Sequence, residues 1–343
     1  MPRVLFINDY PMVKCAGLCD DGEYPTQHLW GMRDIGEHGF DVEYFPDRTW
    51  LGQPKLLRYG VQQLQVALRA SGADLVYSAS QHCAWLLARM RTLGLLGKPL
   101  VSMVHHPLRG ALQNGAFVSG HDKLLFLSSR VEQDVKERFK PRHEATATLR
   151  WGPDVRFSSA IEPEGQAVDV LAAGKTNRDF PTFVEACRGE PWSSVIYCAR
   201  GNVAKVLDPP ANVAIHTNDT GHVLSYRELY QRSKRVRIIA VPLSEVDALA
   251  GLTSVLDALA LGKPLIMTRN RWLDFDPQAA GVGYTLDVGD VEGWRQALRR
   301  ILNDPELERT MGERARAIAE RMNIRTFTAE LSRHFEHALA ASA

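Results

Sequence analysis

An α/β chain made of two Rossmann-like halves is predicted by three observations. Short apolar runs alternate with longer amphipathic segments from end to end, the rhythm of parallel strands covered by helices. The alternation restarts near Val168 after a polar stretch, and 343 residues suffice for two cores at about 100 to 200 residues per domain. In the first half the runs Val4–Ile7, Val42–Phe45, Leu75–Tyr77, Leu100–Val104 and Leu124–Leu127 read as strands, with helical patterns near 25–37, 55–71, 81–93 and 130–139. In the second half Val168–Ala173, Val195–Cys198, Val213–His216, Val236–Val241 and Pro264–Met267 read as strands, with helices near 180–188, 225–233 and 253–261. Ser225-Tyr-Arg-Glu228 forms a capping box ahead of an amphipathic run, and Ser129 is placed to cap the helix after the Leu124 strand.

Between the halves lies GPDVRFSSAIEPEGQ (152–166), polar and punctuated by Pro153, Pro163, Gly152 and Gly165, as suits a linker. The expected division is 1–155 as a first Rossmann-like domain, 156–166 as linker, 167–322 as a second, and 323–343 as a C-terminal helix packing back on the first. The helix 55–69, KLLRYGVQQLQVALR, reads as an ordinary amphipathic helix, with a lipid-facing surface as the weaker alternative.

Composition narrows the function classes. The net charge is +1 and Lys and Arg are scattered without a basic block, so nucleic acid is not an expected partner. MPRVLFINDY is too short in apolar residues for a signal peptide, and no run approaches the length of a membrane span; a cytoplasmic protein is expected, with membrane contact at most peripheral. Five cysteines in so long a chain read as free thiols, and Cys15 and Cys19 lack a second pair to complete a zinc site.

In open α/β sheets ligands bind beyond the carboxyl ends of the strands, so the loops that follow strands are where chemistry is sought. Residues 8–31, after the first strand, form a long expected loop, with His28 near the start of the next helix as either an exposed histidine or an acceptor contact. The fourth strand ends in His105 and His106; adjacent residues of a strand point opposite ways, which disfavours a metal pair and leaves one neutral histidine to bond a substrate hydroxyl. The first strand of the second half runs into GKTNRD, where Gly174 permits a tight exit, Lys175 and Arg178 supply two cations and Asp179 caps the following helix. Cations beside a helix N-terminus suit phosphate. A second anion site is expected at Gly251, Leu252, Thr253 and Ser254, where a new helix begins, and Asp257 one turn on suits a polyol such as ribose. A plain capped core helix is the rival reading of that stretch. Two anion sites in one half together read as a nucleotide-diphosphate pocket. No GxGxxG follows either first strand, and GxxxxGK[ST], GxSxG and a strand-end DxD are absent, which argues against dinucleotide, P-loop and serine-hydrolase chemistry and against a metal-held sugar nucleotide.

With these residues in place, VPLSEVDALAGLTSVLDALALGKPLIMT resembles the donor-binding motif of GT-B glycosyltransferases, most closely the retaining family called GT4. VLAAGKTNRDFPTFVEA resembles that family's diphosphate-binding segment, LVSMVHHP the strand ending in a donor-sugar histidine, and LRWGPDVRF the stretch closing the first domain. The resemblance covers about residues 70–320 and is specific in the second half, while in the first it is mostly topological. It implies two Rossmann-like domains facing across a cleft, an acceptor-side domain followed by a donor domain. It further implies that Lys175 and Arg178 neutralise the diphosphate, Thr253 and Ser254 bind it, Asp257 holds the ribose, and His105 meets the transferred sugar, with His28 and His106 on the acceptor side. One departure stands out. The family's E-x7-E pair places its second acid at Asp257 and its first at Leu249, leaving Glu245 or Asp247 as substitutes or the sugar as one that lacks the corresponding hydroxyls.

The expected reaction is transfer of a sugar from a nucleotide-diphosphate sugar to an acceptor hydroxyl, with retention, and with fixed cations and helix N–H groups doing what a metal would otherwise do. No cofactor or metal beyond the donor is expected, and the acceptor is a small molecule, a glycan or a lipid-linked species. The rival readings are a GT-B nucleotide-sugar epimerase, which needs carboxylates near the sugar, and a non-catalytic nucleotide-sugar-binding subunit.

Overall fold

The computed structural model describes residues 1–46, 54–202, 206, 208–217 and 224–342. The chain divides into two compact units, the first made of Met1–Asp21, Thr26–Gly152 and Ile324–Ala343, the second of Gly22–Pro25 and Pro153–Asn323.

The first unit alternates β1 (Arg3–Ile7), α1 (Met12–Asp20), β2 (Asp41–Tyr44), α2 (Lys55–Arg69), β3 (Leu75–Ser78), α3 (Trp85–Thr92), β4 (Leu100–Val104), α4 (Gly115–Ser119), β5 (Lys123–Phe126), α5 (Ser129–Phe139) and β6 (Thr146–Thr148). Its sheet is wholly parallel in the order β2-β1-β3-β4-β5-β6. LVSMV in β4 is buried at every position because helices cover both faces, which is why the run is continuous rather than alternating.

The second unit continues with α6 (Val155–Ala160), β7 (Val168–Gly174), α7 (Phe180–Cys187), β8 (Ser194–Cys198), β9 (Val213–Thr217), α8 (Tyr226–Lys234), β10 (Val236–Val241), α9 (Leu252–Leu261), β11 (Leu265–Thr268), β12 (Gly283–Leu286), α10 (Val291–Leu302) and α11 (Pro305–Arg321). Its parallel sheet runs β12-β11-β10-β7-β8-β9, the doubly wound order in which strands leave the first strand of the unit in both directions. The core under α7 and α10 is built on Phe180, Phe183 and Trp294. The last helix, α12 (Ile324–Ala340), belongs to the first unit, where Phe335 packs edge-on against Phe40 and Tyr77 at 5.5 and 5.1 Å.

Four local readings are corrected. The helix expected over 25–37 is only two 3-10 turns, Thr26–Leu29 and Ile35–His38, because Trp30 (φ 53°) and Gly31 (φ 84°) take left-handed backbone that no α-helix admits. The expected 8–31 loop instead contains α1. The cap of α5 is Ser128, one residue before Ser129, its hydroxyl accepting from the N–H groups of Arg130 and Val131. The stretch 152–166 holds a helix: Asp154 caps α6, and Phe157 and Ile161 pack with Tyr230 in a small core of the second unit. β6 and β12 escaped the sequence reading because both are edge strands of three and four residues, half covered, with no apolar run to mark them. The capping box at Ser225 and Glu228 forms as read.

Desolvated histidines give the first unit an acid sensitivity. His121 Nδ1–H donates to the Phe117 carbonyl at 2.7 Å and Nε2 faces the Ser102 hydroxyl at 2.9 Å, a neutral arrangement. Burial lowers His28 and His105 to about 3 and His121 to about 4. Unfolded histidine binds its proton near 6.5, so between about 6.5 and 4 the unfolded chain holds more protons and stability falls as pH falls. Three such groups give a slope of about 4 kcal/mol per pH unit well inside that window. The urea midpoint is expected to drop sharply from pH 7 to pH 5, above the range where carboxylates titrate; equal midpoints at the two values contradict neutral burial of these rings.

Candidate functional site

In the second sheet the strand order reverses between β7 and β10, and ligands of doubly wound sheets bind beyond the carboxyl ends of the two strands flanking that reversal. The loops leaving these strands are residues 175–179 and 242–251. They are stitched together by Asp179 N–H donating to the Pro242 carbonyl at 3.1 Å and Ser244 N–H to the Asn177 carbonyl at 3.3 Å. The topology therefore brings together the two stretches that the sequence reads as one nucleotide-diphosphate pocket.

Arg178 is the centre of this arrangement. Its Nε–H donates to the Ala173 carbonyl at 3.2 Å, one Nη to the Thr176 carbonyl at 3.0 Å and the other to the Ser254 hydroxyl at 3.0 Å. All three acceptors are neutral, and no carboxylate pairs with it among the described residues. Burial lowers its pKa from 12.5 to about 10, a desolvation penalty of about 3 kcal/mol that a bound anion offsets. Gly174 is required by this side chain: a Cβ there would lie 2.3 Å from Arg178 Nε. Lys175 is exposed in the same loop, and Asp179 caps α7 by accepting from Thr182 N–H.

α9 opens at Gly251, whose φ of 89° is left-handed and whose missing Cβ leaves room for Leu243 Cδ1 and Val241 Cγ1, 3.2 and 3.3 Å from where it would sit. No side chain caps this helix, and the N–H groups of Leu252, Thr253 and Ser254 have no acceptor among the described residues. Three free N–H groups at a helix N-terminus, beside a half-buried guanidinium bonded to Ser254, are the donors that suit an anion.

Asp257, on the second turn of α9, accepts from the phenol of Tyr230 at 2.6 Å. Tyr230 is buried and its pKa is raised well above the usual value, first by burial and then by the Asp257 charge. The bond fixes the carboxylate and leaves it further lone pairs for a ligand. Tyr230 was not singled out in the sequence, where a tyrosine on an amphipathic helix is indistinguishable from a core residue. Leu249 is buried, Glu245 is exposed, and Asp247 is already engaged by Arg271 Nη2 at 2.6 Å and Trp272 Nε1 at 2.9 Å. Asn270 further holds the 244–251 loop by donating to the carbonyls of Ala248 and Ala250 at 3.0 and 3.1 Å.

In the first unit, His105 at the end of β4 packs against Trp30 at 4.5 Å, and Trp30 stacks on Trp151 at 4.5 Å. Its ring bonds the backbone of Ala79 and its Nε2 is buried without a partner, so Nδ1 carries the proton and Nε2 is an acceptor. Gln81 fixes the turn, its Oε1 accepting from the N–H groups of His105 and His106 at 2.8 and 3.1 Å. The His106 ring meets that of His105 edge-on, the centroids 6.3 Å apart. His28 meets Trp151 edge-on at 5.4 Å, so it is half-buried within the unit rather than an exposed helix start. Among the described residues no group of three His, Cys, Asp or Glu side chains is placed to hold a metal, the five cysteines are free thiols, and no helix is long and apolar enough to cross a membrane.

No family model matches the chain. A stretch of 62 residues, 18% of this chain, is 42% identical to N-acetyl-alpha-D-glucosaminyl L-malate synthase of Bacillus anthracis, and it spans 16% of that protein. Likeness over the whole chain comes from solved structures. Sucrose-phosphate synthase from Thermosynechococcus elongatus superposes with a TM-score of 0.74 at 13% identity, covering 99% of this chain and 100% of that one. The chain has the GT-B fold. Anabaena Alr3699/HepE in complex with UDP-glucose gives 0.68 at 14% identity over 98% and 100% of the two chains, and WaaG, a glycosyltransferase involved in lipopolysaccharide biosynthesis, 0.62 at 14% over 96% and 98%. At these identities the likeness is one of fold, the α/β architecture that the sequence predicted.

Proposed function

We propose that the chain is a glycosyltransferase, most like the retaining GT4 family, that moves a sugar from a nucleotide-diphosphate sugar to an acceptor hydroxyl with retention and without a metal. The observation that supports this reading most is Arg178, a desolvated guanidinium without a counter-charge among the described residues, bonded to the opening of an uncapped helix. The fold neighbour Alr3699/HepE was solved with UDP-glucose, which agrees with a donor of this class.

In the proposed reaction the bond between the anomeric carbon and the β-phosphate oxygen breaks, the acceptor oxygen bonds the same face of the sugar, and the acceptor proton passes to the departing phosphate oxygen. Charge grows on that phosphate, and fixed donors aimed at it lower the barrier more than flexible ones. Arg178, Lys175 and the N–H groups of Leu252, Thr253 and Ser254 supply those donors, and Asp257 accepts from the ribose. In the first unit, His105 stays neutral at pH 7 and offers Nε2 to a substrate hydroxyl.

Incubation with UDP-glucose, UDP-N-acetylglucosamine and GDP-mannose tests the reading: slow nucleotide release supports a transferase, whereas an altered sugar identifies an epimerase and binding without turnover a binding subunit. The ribose assignment has its own test. Asp257→Ala is expected to weaken UDP or GDP, whichever binds, about tenfold, the value of a hydrogen bond to a charged group. The same loss is expected when wild-type protein meets the 2′-deoxy nucleotide, and none when the variant does. Equal affinities of wild type and variant for the ribonucleotide contradict it.

A further inference from the structure

Helix α2 is amphipathic in the wrong sense for a helix that serves only its own core. Val66 and, just past the helix end, Ala70 are buried, and beside them are Gln62 and Gln63, both buried. The glutamines are satisfied: Gln62 Nε2 donates to the Asn8 carbonyl at 3.1 Å, Gln63 Nε2 to the Tyr59 carbonyl at 3.0 Å, and Gln63 Oε1 accepts from the N–H groups of Leu86 and Leu87 at 2.7 and 3.3 Å. The leucines face the other way. Leu57, Leu64 and Leu68 are 52%, 50% and 82% exposed. At about 100° per residue, Leu57, Val61, Leu64 and Leu68 fall in one narrow stripe, about 180° from Val66. A sequence selected only for folding puts leucine inside and glutamine outside.

Charge narrows what covers the stripe. Residues 55–98 carry six Lys and Arg against one acid, Asp74, in a chain whose net charge is only +1; of the six, Arg91 is paired with Asp122 at 2.8 Å. α2 itself contains no acid. Arg58 and Arg69 stand on one flank of the stripe, over Tyr59 and Phe45 at 5.2 and 5.6 Å, Arg69 also pairing with the exposed Glu43 at 3.7 Å. α3, which packs beside α2, contributes exposed Arg89 and is followed by Leu93 and Leu95, 72% and 68% exposed. A row of exposed leucines flanked by cations matches a bilayer interface: the leucines enter the acyl boundary while the cations meet anionic headgroups. We propose that α2, with the turn after α3, docks the first unit on an anionic lipid surface. The inference is independent of the proposed reaction.

The full chain is to be sedimented with vesicles of phosphatidylcholine alone and of phosphatidylcholine containing phosphatidylglycerol, at low and high salt. Binding to the anionic vesicles is expected to be at least about tenfold stronger than to the neutral ones and to weaken as salt rises. The variant Leu57→Gln/Leu64→Gln/Leu68→Gln, which alters exposed positions only, is expected to lose most of that binding while keeping its thermal midpoint. Absence of binding to anionic vesicles, or equal binding by the variant, overturns the proposal. So does light scattering that finds a wild-type dimer which the variant dissolves, because the stripe then covers a second copy of the chain.

Discussion

Replacing Arg178 by alanine is expected to lower the rate of nucleotide release from the donor by about 10²- to 10³-fold, the usual loss when one donor to a developing oxyanion is removed. The fold is expected to survive. Arg178 bonds only neutral acceptors, and burial lowers its pKa to about 10, so in the free protein the guanidinium is held at an electrostatic penalty. Removing it relieves that penalty. Differential scanning fluorimetry should therefore show the variant's Tm unchanged or a few degrees higher without ligand, and no rise on adding UDP or GDP, whichever stabilises the wild type. A variant with normal turnover removes Arg178 from the reaction, and a large fall in Tm with normal ligand stabilisation assigns it a purely structural role. Tests on Lys175 are less decisive, because an exposed lysine in a loop is easily replaced by solvent counter-ions.

Gly174→Ala is expected to reproduce most of that loss although no chemical group is removed. The added methyl would lie 2.3 Å from Arg178 Nε and 2.6 Å from its Cζ, so the guanidinium must swing away and surrender its bonds to Ala173 and Ser254. The moving group is the end of a flexible side chain, and the β7 ladder from Val170 to Gly174 against β8 can remain paired. Activity should drop about 10- to 100-fold, less than for Arg178→Ala because the cation stays nearby, and Gly174→Ala/Arg178→Ala should be no worse than Arg178→Ala alone, the signature of two residues acting through one group. Additive losses in the double variant contradict the coupling.

How much of this was legible in the sequence follows from where each signal comes from. Doubly covered strands such as LVSMV write continuous apolar runs, and the second unit's helices announce their starts through Asp179 and Ser225, so the repeated βα pattern could be read directly. Edge strands β6 and β12 could not, being short and half covered. The broken helix after residue 25 was hidden because left-handed backbone at Trp30 leaves no compositional mark. Among site residues, Lys175, Arg178 and the Gly251–Ser254 turn were found by local chemistry, yet the bond joining Arg178 to Ser254 spans 76 positions and depends on β7 and β10 being neighbours, a fact of topology alone. Tyr230 and Trp30 were missed for a related reason, since what they hold, Asp257 and His105, lies elsewhere in the chain. The helix 55–69 was legible as amphipathic but its sense was not: periodicity gives the two faces, and only the packing shows that the glutamine face is the inner one.

The central claim is that the end of β7 and the start of α9 form a cradle for a nucleoside diphosphate. A crystal structure of the full chain grown with UDP or GDP, whichever stabilises it, tests this most directly. A phosphate oxygen is expected within hydrogen-bonding distance of the Arg178 guanidinium and of the N–H of Thr253 or Ser254, with a ribose hydroxyl on Asp257. A nucleotide bound elsewhere, with the helix start empty and Arg178 still turned only to its neutral partners, would contradict it.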